Sequence, residues 1–246
     1  MLIGFRTGLP FPRSLGVGPS FLRRNPRAKN AKTHSVSEYG LVKSPPAQSV
    51  GGFLYVDYES CALGCCYTNH MNFSDPQQNV LQLGLREGMK VADLGAGIGH
   101  HAISVAHIVG ETGRVYAVDV QEEVLRNLMD TAKARGLKNM ESVWGNIEKQ
   151  GGTHLKEQSM DAVILSNTLF QLEERAPAVA EIKRILKPGG RLMVIDWAGS
   201  YDGMGPPPEH CVPEHEALEL FITSGFHKLK DFRAGPHHYS IVFTAP

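Results

Sequence analysis

Seven residues in the middle of the chain, Asp93-Leu94-Gly95-Ala96-Gly97-Ile98-Gly99, join an apolar run to a helical one through three alternate glycines. Glycine at such a turn adopts backbone angles closed to other residues and, having no Cβ, lets a ligand lie against the main chain beside a helix N-terminus. The rival pattern is the dinucleotide fingerprint G-x-G-x-x-G, which also follows a strand and opens a helix. Counted from Gly95, that fingerprint needs its third glycine at position 100, where His100 stands; here the third glycine is Gly99. Asp93 also places a carboxylate two residues before the first glycine. An anion there repels a pyrophosphate and suits an ammonium or a sulfonium. The turn therefore predicts a pocket for S-adenosylmethionine, whose methionine portion carries both cations.

A second acid, Asp119, closes the run Gly113-Arg114-Val115-Tyr116-Ala117-Val118. In doubly wound folds a carboxylate at the end of the second strand accepts hydrogen bonds from ribose hydroxyls. Asp119 is equally placed to cap the helix that Gln121-Glu122-Glu123 open, and both roles can coexist. Val120 follows it as an adenine contact. Asn146 and Ile147 are expected to meet the adenine amino group and ring, although Gly145-Asn146 is also common turn chemistry. Ser166 and Asn167, ending another apolar run, are expected near the reacting methyl group. Proton transfer would fall to a neutral imidazole or a phenol. His210 in Gly205-Pro206-Pro207-Pro208-Glu209-His210, and His238 and Tyr239 before the last apolar run, are the candidates, with Trp197 as a further acceptor contact. Each histidine also reads as an exposed loop residue. His100 and His101 open the helix after the glycine turn and suit cofactor positioning or capping rather than catalysis.

The elements that must hold these residues alternate strand and helix, the pattern of a parallel sheet. Strands are predicted at Val91–Leu94, Gly113–Asp119, Glu141–Trp144, Met160–Asn167 and Arg191–Asp196. A helix with Val124, Leu125, Leu128 and Ala132 on one face stops at Gly136. Another carries Pro177 near its start and Ile182, Ile185 and Leu186 inward, and stops at Lys187-Pro188-Gly189-Gly190. Phe226–Leu229 and Tyr239–Phe243 read as closing strands joined through Gly235-Pro236.

Leu85-Arg86-Glu87-Gly88-Met89-Lys90, the glycine turn, Val118-Asp119 and Leu186-Lys187-Pro188-Gly189-Gly190-Arg191 together resemble class I S-adenosylmethionine-dependent methyltransferases, in the branch of the ubiquinone/menaquinone-biosynthesis and arsenite methyltransferases. The resemblance runs from about Asp75 to the C-terminus. It implies an α/β, doubly wound, Rossmann-like seven-stranded sheet of order 3-2-1-4-5-7-6 with strand 7 antiparallel, and S-adenosyl-L-methionine as cofactor. It also implies in-line methyl transfer to a small-molecule acceptor. Family members usually carry Asp at the position of Asn146, whose amide oxygen still accepts a hydrogen bond.

At 246 residues and 42% hydrophobic, the chain can bury one sizeable core. Eight of the 25 bases but only one of the 25 acids fall in residues 1–50, leaving the remainder with 17 bases and 24 acids, net −7. An acidic domain disfavours nucleic acid, where phosphate contacts supply most of the affinity. No apolar stretch approaches the roughly 20 residues of a membrane span. The expected organisation is a basic leader over 1–50, an N-terminal lid or helical segment over 51–84, and the methyltransferase domain over 85–246. The leader, free of acids before Glu38, reads as disordered, with an organellar transit peptide or an upstream start as further readings; otherwise a cytoplasmic setting is expected. His70 to Phe73 and Asp75 to Leu83 are expected to act as the lid.

Cys61, Cys65, Cys66 and Cys211 form no paired C-x-x-C set, so no metal is expected. They suit a reduced cytosolic protein or, more sharply, thiolates for arsenic. Besides methyl transfer, two other readings stay open here: a non-catalytic protein that binds S-adenosylmethionine as sensor or scaffold, and a nicotinamide-dependent oxidoreductase.

Overall fold

A computed structural model describes residues 49–50, 53–54, 74–201 and 204–246. The leader over 1–48, Cys61, Cys65, Cys66 and the His70–Phe73 part of the expected lid lie outside the described residues. Two compact units divide the chain, Met1–Cys66 and Tyr67–Pro246. Within the first, Ser49–Val50 pairs antiparallel with Phe53–Leu54.

In the second unit five strands run in the predicted order, with helices after the first, second, fourth and fifth and only turns between the third and fourth. The strands are β1 (Lys90–Leu94), β2 (Arg114–Asp119), β3 (Met140–Trp144), β4 (Met160–Ser166) and β5 (Leu186–Trp197), followed by the closing strands β6 (His227–Gly235) and β7 (His238–Thr244). The helices are α1 (Pro76–Leu81), α2 (His100–Val109), α3 (Glu122–Ala134), α4 (Arg175–Ile185) and α5 (Glu214–Thr223). The sheet order is β3-β2-β1-β4-β5-β7-β6. β1 to β5 pair in parallel, and β7 runs antiparallel to both β5 and β6. Fold class, strand order and the reversed last strand are those expected.

Apolar side chains cover both faces of the sheet. Val91, Ala102, Val105, Leu125, Leu128, Ile164 and Ile195 belong to one buried cluster, which α1 joins through Val80 and the turn after it through Leu83. Leu94, Val118, Leu165, Ile182, Val194, Phe221 and Phe243 belong to the other. There Phe221, Phe226 and Phe243 meet with ring centroids 5.1 to 6.3 Å apart.

Three local features differ from the sequence reading. β5 begins at Leu186, not Arg191, so Lys187-Pro188-Gly189-Gly190 lies in the strand. Gly189 takes φ +72°, its N–H donates to Ala245 O, and Ala245 N–H donates to Gly190 O. The pairing with β4 shifts register between Met160 and Ala162 to accommodate the irregularity. β6 continues to Gly235. Helix α5, with Ala217 and Phe221 buried, was not anticipated. Its signals are Pro213 before an acidic first turn and Gly225 after the end.

Candidate active site

β1 and β4 are neighbours whose connections leave in opposite directions along the sheet. Ligands of open α/β sheets bind at the carboxyl ends of the strands at such a switch point. The glycine turn follows β1 and the Ser166-Asn167-Thr168 segment follows β4, so the two predicted halves of the site meet there.

The three glycines do different work. All have positive φ, +71° at Gly95, +52° at Gly97 and +84° at Gly99. A Cβ on Gly95 would collide with the Thr168 side chain, and one on Gly99 with Leu128; at Gly97 it would meet nothing within 4 Å. Two glycines thus permit close packing, while the middle one leaves the face of the turn open. Backbone bonds from Gly95 N and Ala96 N to Val118 O, 2.8 and 3.1 Å, fasten the turn to β2.

Asp119, half-buried, accepts from Gly97 N with Oδ2 and from Gln121 N with Oδ1, both at 3.0 Å. It orders the turn and the start of α3 together, and each carboxylate oxygen keeps a lone pair for a ribose hydroxyl. Asp93 is only 2% exposed and accepts from the Ala102 backbone in the first turn of α2. That helix has no side-chain cap of its own, so Asp93 supplies one from the adjoining strand. Burial, opposed by the Ala102 bond and reinforced by the charge of Asp119, pushes its carboxyl up to about 7. His101 is held down at about 4, chiefly by burial with His100 beside it.

Around this turn, Val120 is 58% and Trp144 63% exposed, and the indole N–H donates to Val120 O at 3.0 Å. Large apolar surfaces left open beside a cleft mark a contact surface, and Trp144 joins the candidates although the sequence reading placed it only in a strand. Asn146 is half-buried, and its Oδ1 accepts from Glu148 N at 2.8 Å, the turn chemistry weighed against adenine binding. Ile147 is buried in the core cluster on the α4 and α5 side. The loop carrying both is anchored by Glu181, whose carboxylate accepts from Gly151 N, Thr153 N, Thr153 Oγ1 and the Arg184 guanidinium. Burial alone would raise this carboxyl; Arg184, Thr153 and Gly151 together hold it at about 2.

Ser166 is half-buried at the end of β4, in register with Ile195. Asn167 takes left-handed φ, +53°, a conformation uncommon outside glycine and informative beside a site. Its Oδ1 is buried with no hydrogen-bond partner among the described residues. Thr168 donates to Leu94 O and Ser166 O, closing this segment over the glycine turn.

Across the β5–β7 pair, Trp197 stands opposite His238 and Asp196 opposite Tyr239. Trp197 and His238 rings lie 4.3 Å apart, and Tyr201 and His237 4.2 Å, forming an aromatic edge at the carboxyl end of β5. Neighbouring strand residues point to opposite faces. Tyr239 accordingly lies in the core cluster on the α4 and α5 side, away from His238. Burial first and the Asp196 charge second raise its phenol above the ordinary range, which keeps it protonated. His210 is exposed in the short 3-10 turn Pro208–His210. The three predicted proton-transfer residues are therefore not brought to one point. Burial, then Asp196 and Glu209, raise the Cys211 thiol, which disfavours thiolate chemistry. Among the described residues no group of three or more His, Cys, Asp or Glu is placed to hold a metal, and no helix is long and apolar enough to cross a membrane.

An open turn at Gly97, an acid with free lone pairs at the end of β2 and exposed apolar surface at Val120 fit S-adenosylmethionine. A cleft of this form at the switch point of a 3-2-1-4-5-7-6 sheet is that of the class I methyltransferases. Comparison with known proteins agrees. A family model described as a methyltransferase domain matches residues 85–220. The crystal structure of a SAM-dependent methyltransferase from Aquifex aeolicus superposes with a TM-score of 0.66 at 30% identity, covering 72% of this chain and 92% of its own. An arsenic(III) S-adenosylmethionine methyltransferase from Chlamydomonas reinhardtii gives 0.52 at 26% identity, covering 64% and 63%. The ubiquinone/menaquinone biosynthesis C-methyltransferase of Haemophilus ducreyi is 34% identical over 118 residues, 47% of this chain and 44% of that protein. The chain thus spans less than half the length of the curated relatives it matches. It belongs to the methyltransferase domain family.

Proposed function

We propose that the protein methylates a small, ring-bearing acceptor seated against the aromatic edge of Trp197, Tyr201, His237 and His238. The observation that carries this reading is the placement of that edge, in the same β4–β5–β7 register that puts Ser166 beside Ile195. Trp197, Tyr201 and His237 are half-buried and offer stacking surface to a flat acceptor, with the buried His238 packed against Trp197. The curated relatives are C-methyltransferases of ubiquinone and menaquinone biosynthesis, which supports an electron-rich ring carbon as the methylated atom.

In this reading Gly95, Gly97 and Gly99 form the bed for the methionine half. Asp93 supports it from beneath and supplies negative potential. Asp119 takes the ribose hydroxyls, while Val120, Asn146 and Ile147, with Trp144, border the adenine. Ser166 and Asn167 face the methyl position. The bound cofactor supplies an electrophilic methyl group on a sulfonium. The protein's task is then alignment and exclusion of water, which account for most of the acceleration in such a displacement. His238, next to the stacked Trp197, takes the proton that the acceptor loses. Residues 85–246 would form the catalytic unit, with α1 as part of the lid. A cytoplasmic setting goes with it, supported by cysteines that form no paired framework in the sequence.

The test is release of S-adenosylhomocysteine over a panel of hydroquinones, phenols, amines, thiols and arsenite. Turnover with the hydroquinones or phenols is expected. Turnover confined to arsenite or thiols would overturn the acceptor assignment and favour the arsenic reading.

A further inference from the structure

Asp196 is fully buried at the end of β5, on the face away from the aromatic edge, and takes no part in the cofactor bed or in the proposed proton transfer. Its Oδ1 accepts from Trp197 N at 2.7 Å and its Oδ2 from Phe170 N at 3.2 Å, with the Leu169 backbone as a further donor. Leu169–Gln171 is the 3-10 turn directly after Thr168. From Thr168 the bonds continue to Leu94 O and Ser166 O, and its side chain fills the space that the missing Cβ of Gly95 leaves. Asn167 N donates to Ile195 O at 2.8 Å, and Gln171 Nε2 donates to Asn167 O at 2.6 Å. The left-handed Asn167 is thus held from both sides.

We infer that Asp196 is a positioning residue whose ionised carboxylate ties the Leu169–Phe170 backbone to the end of β5 and thereby holds Asn167 and Thr168 over the glycine turn. An ionised carboxylate accepts at both oxygens; a protonated one turns one oxygen into a donor and leaves a backbone N–H without its acceptor. The groups facing it are Arg175 at the start of α4, Tyr239 opposite on β7 and Cys211 before α5, with Glu214 of α5 beside Tyr239. Burial outweighs the backbone bonds and Arg175, lifting the carboxyl to about 6. Because this exceeds the usual value, the buried charge is a cost to the fold that is relieved as pH falls through 6. Acid therefore releases the segment without lowering thermal stability through this group, which separates the clamp from ordinary acid unfolding.

The effect on turnover rests on the methyl-transfer reading; the clamp itself does not. The experiment is hydrogen exchange of the full chain, followed over residues 167–172 and expressed as protection factors so that intrinsic pH effects cancel. Wild type should lose at least about tenfold protection there between pH 7.5 and pH 5. Asp196→Asn should show the low protection at both pH values, bind S-adenosylhomocysteine within about threefold of wild type, and turn over the best acceptor of the panel about 10- to 100-fold more slowly. Asp196→Glu, which keeps the charge, should restore the pH dependence. Equal protection at pH 7.5 in wild type and Asp196→Asn would overturn the inference. Should Asp196→Asn fail to fold, a flat pH response of the wild-type segment would overturn it instead. Loss of S-adenosylhomocysteine binding by the wild type would sink the methyl-transfer reading and leave the exchange result to decide the clamp.

Discussion

The two halves of the cleft are built differently. At the carboxyl end of β1 and β2 the surface is main chain, held in place by carboxylates that each accept backbone N–H bonds: Asp93 from Ala102, Asp119 from Gly97 and Gln121. At the end of β4 and β5 and the start of β7 the surface is rings. Beside them, Asn167 Oδ1 and Ser240 Oγ are buried without a hydrogen-bond partner among the described residues. Buried polar atoms without partners are rare and costly. A bed satisfied in itself suits a ligand that every turnover shares, whereas unspent polar atoms suit a surface whose partner is the variable acceptor.

That contrast can be broken in several ways. The largest effect is expected from His238→Ala, which should slow turnover by about 10²-fold or more with S-adenosylhomocysteine affinity unchanged in calorimetry; His210→Ala should do neither. If both quantities fell together in His238→Ala, the acceptor half would not be separate from the cofactor half. Asp119→Ala removes the acceptor for Gly97 N as well as the ribose contact, and should weaken cofactor binding by about 2–3 kcal/mol. Wild-type affinity in that variant would take Asp119 out of the bed.

A smaller effect sharpens the electrostatics of the first half. Asp93, with its carboxyl at about 7, attracts the cationic cofactor only when ionised. Affinity for S-adenosylmethionine should therefore fall about tenfold from pH 8 to pH 6, and Asp93→Asn should flatten the dependence. The stability of the ligand-free protein should move the opposite way. A carboxyl raised above its unfolded value favours the fold more as pH falls from about 7 toward 4, because the native state then holds more protons. Binding and stability that changed in the same direction would contradict the assignment. The smallest effect is Tyr239→Phe, which removes a buried hydroxyl without a partner among the described residues. It should leave the free energy of unfolding unchanged or raise it, by about 1 kcal/mol at most, in a denaturant titration.

The difference also explains what the sequence disclosed. The glycine turn, Asp119 and the alternating strands depend on residues close in the chain, and periodicity and spacing located them. Asp93 stands at the strand end that its spacing indicates, but its bond to the first turn of α2 is not visible in the sequence, because it depends on how α2 docks. Pro188-Gly189-Gly190 has the composition of a stop, yet Ala245 bonds draw it into the sheet. His238 and Tyr239 are adjacent, so strand alternation already requires that they face opposite ways. Which of them reaches the cleft follows only from the pairing with Trp197 and Asp196, some forty positions earlier. Asp196 and the left-handed Asn167 acquire meaning only when the post-β4 turn folds back onto β5.

Central to all of this is that the cofactor lies against the open face of the turn at Gly97. Isothermal calorimetry with S-adenosylhomocysteine on wild type and Gly97→Ala tests it directly. The added methyl group meets no protein atom within 4 Å, and the left-handed backbone makes alanine unfavourable by about 1–2 kcal/mol. Measurable binding to wild type and at least tenfold weaker binding to a still folded Gly97→Ala are expected. Binding of equal strength to both, or no heat with the wild type, would contradict that placement.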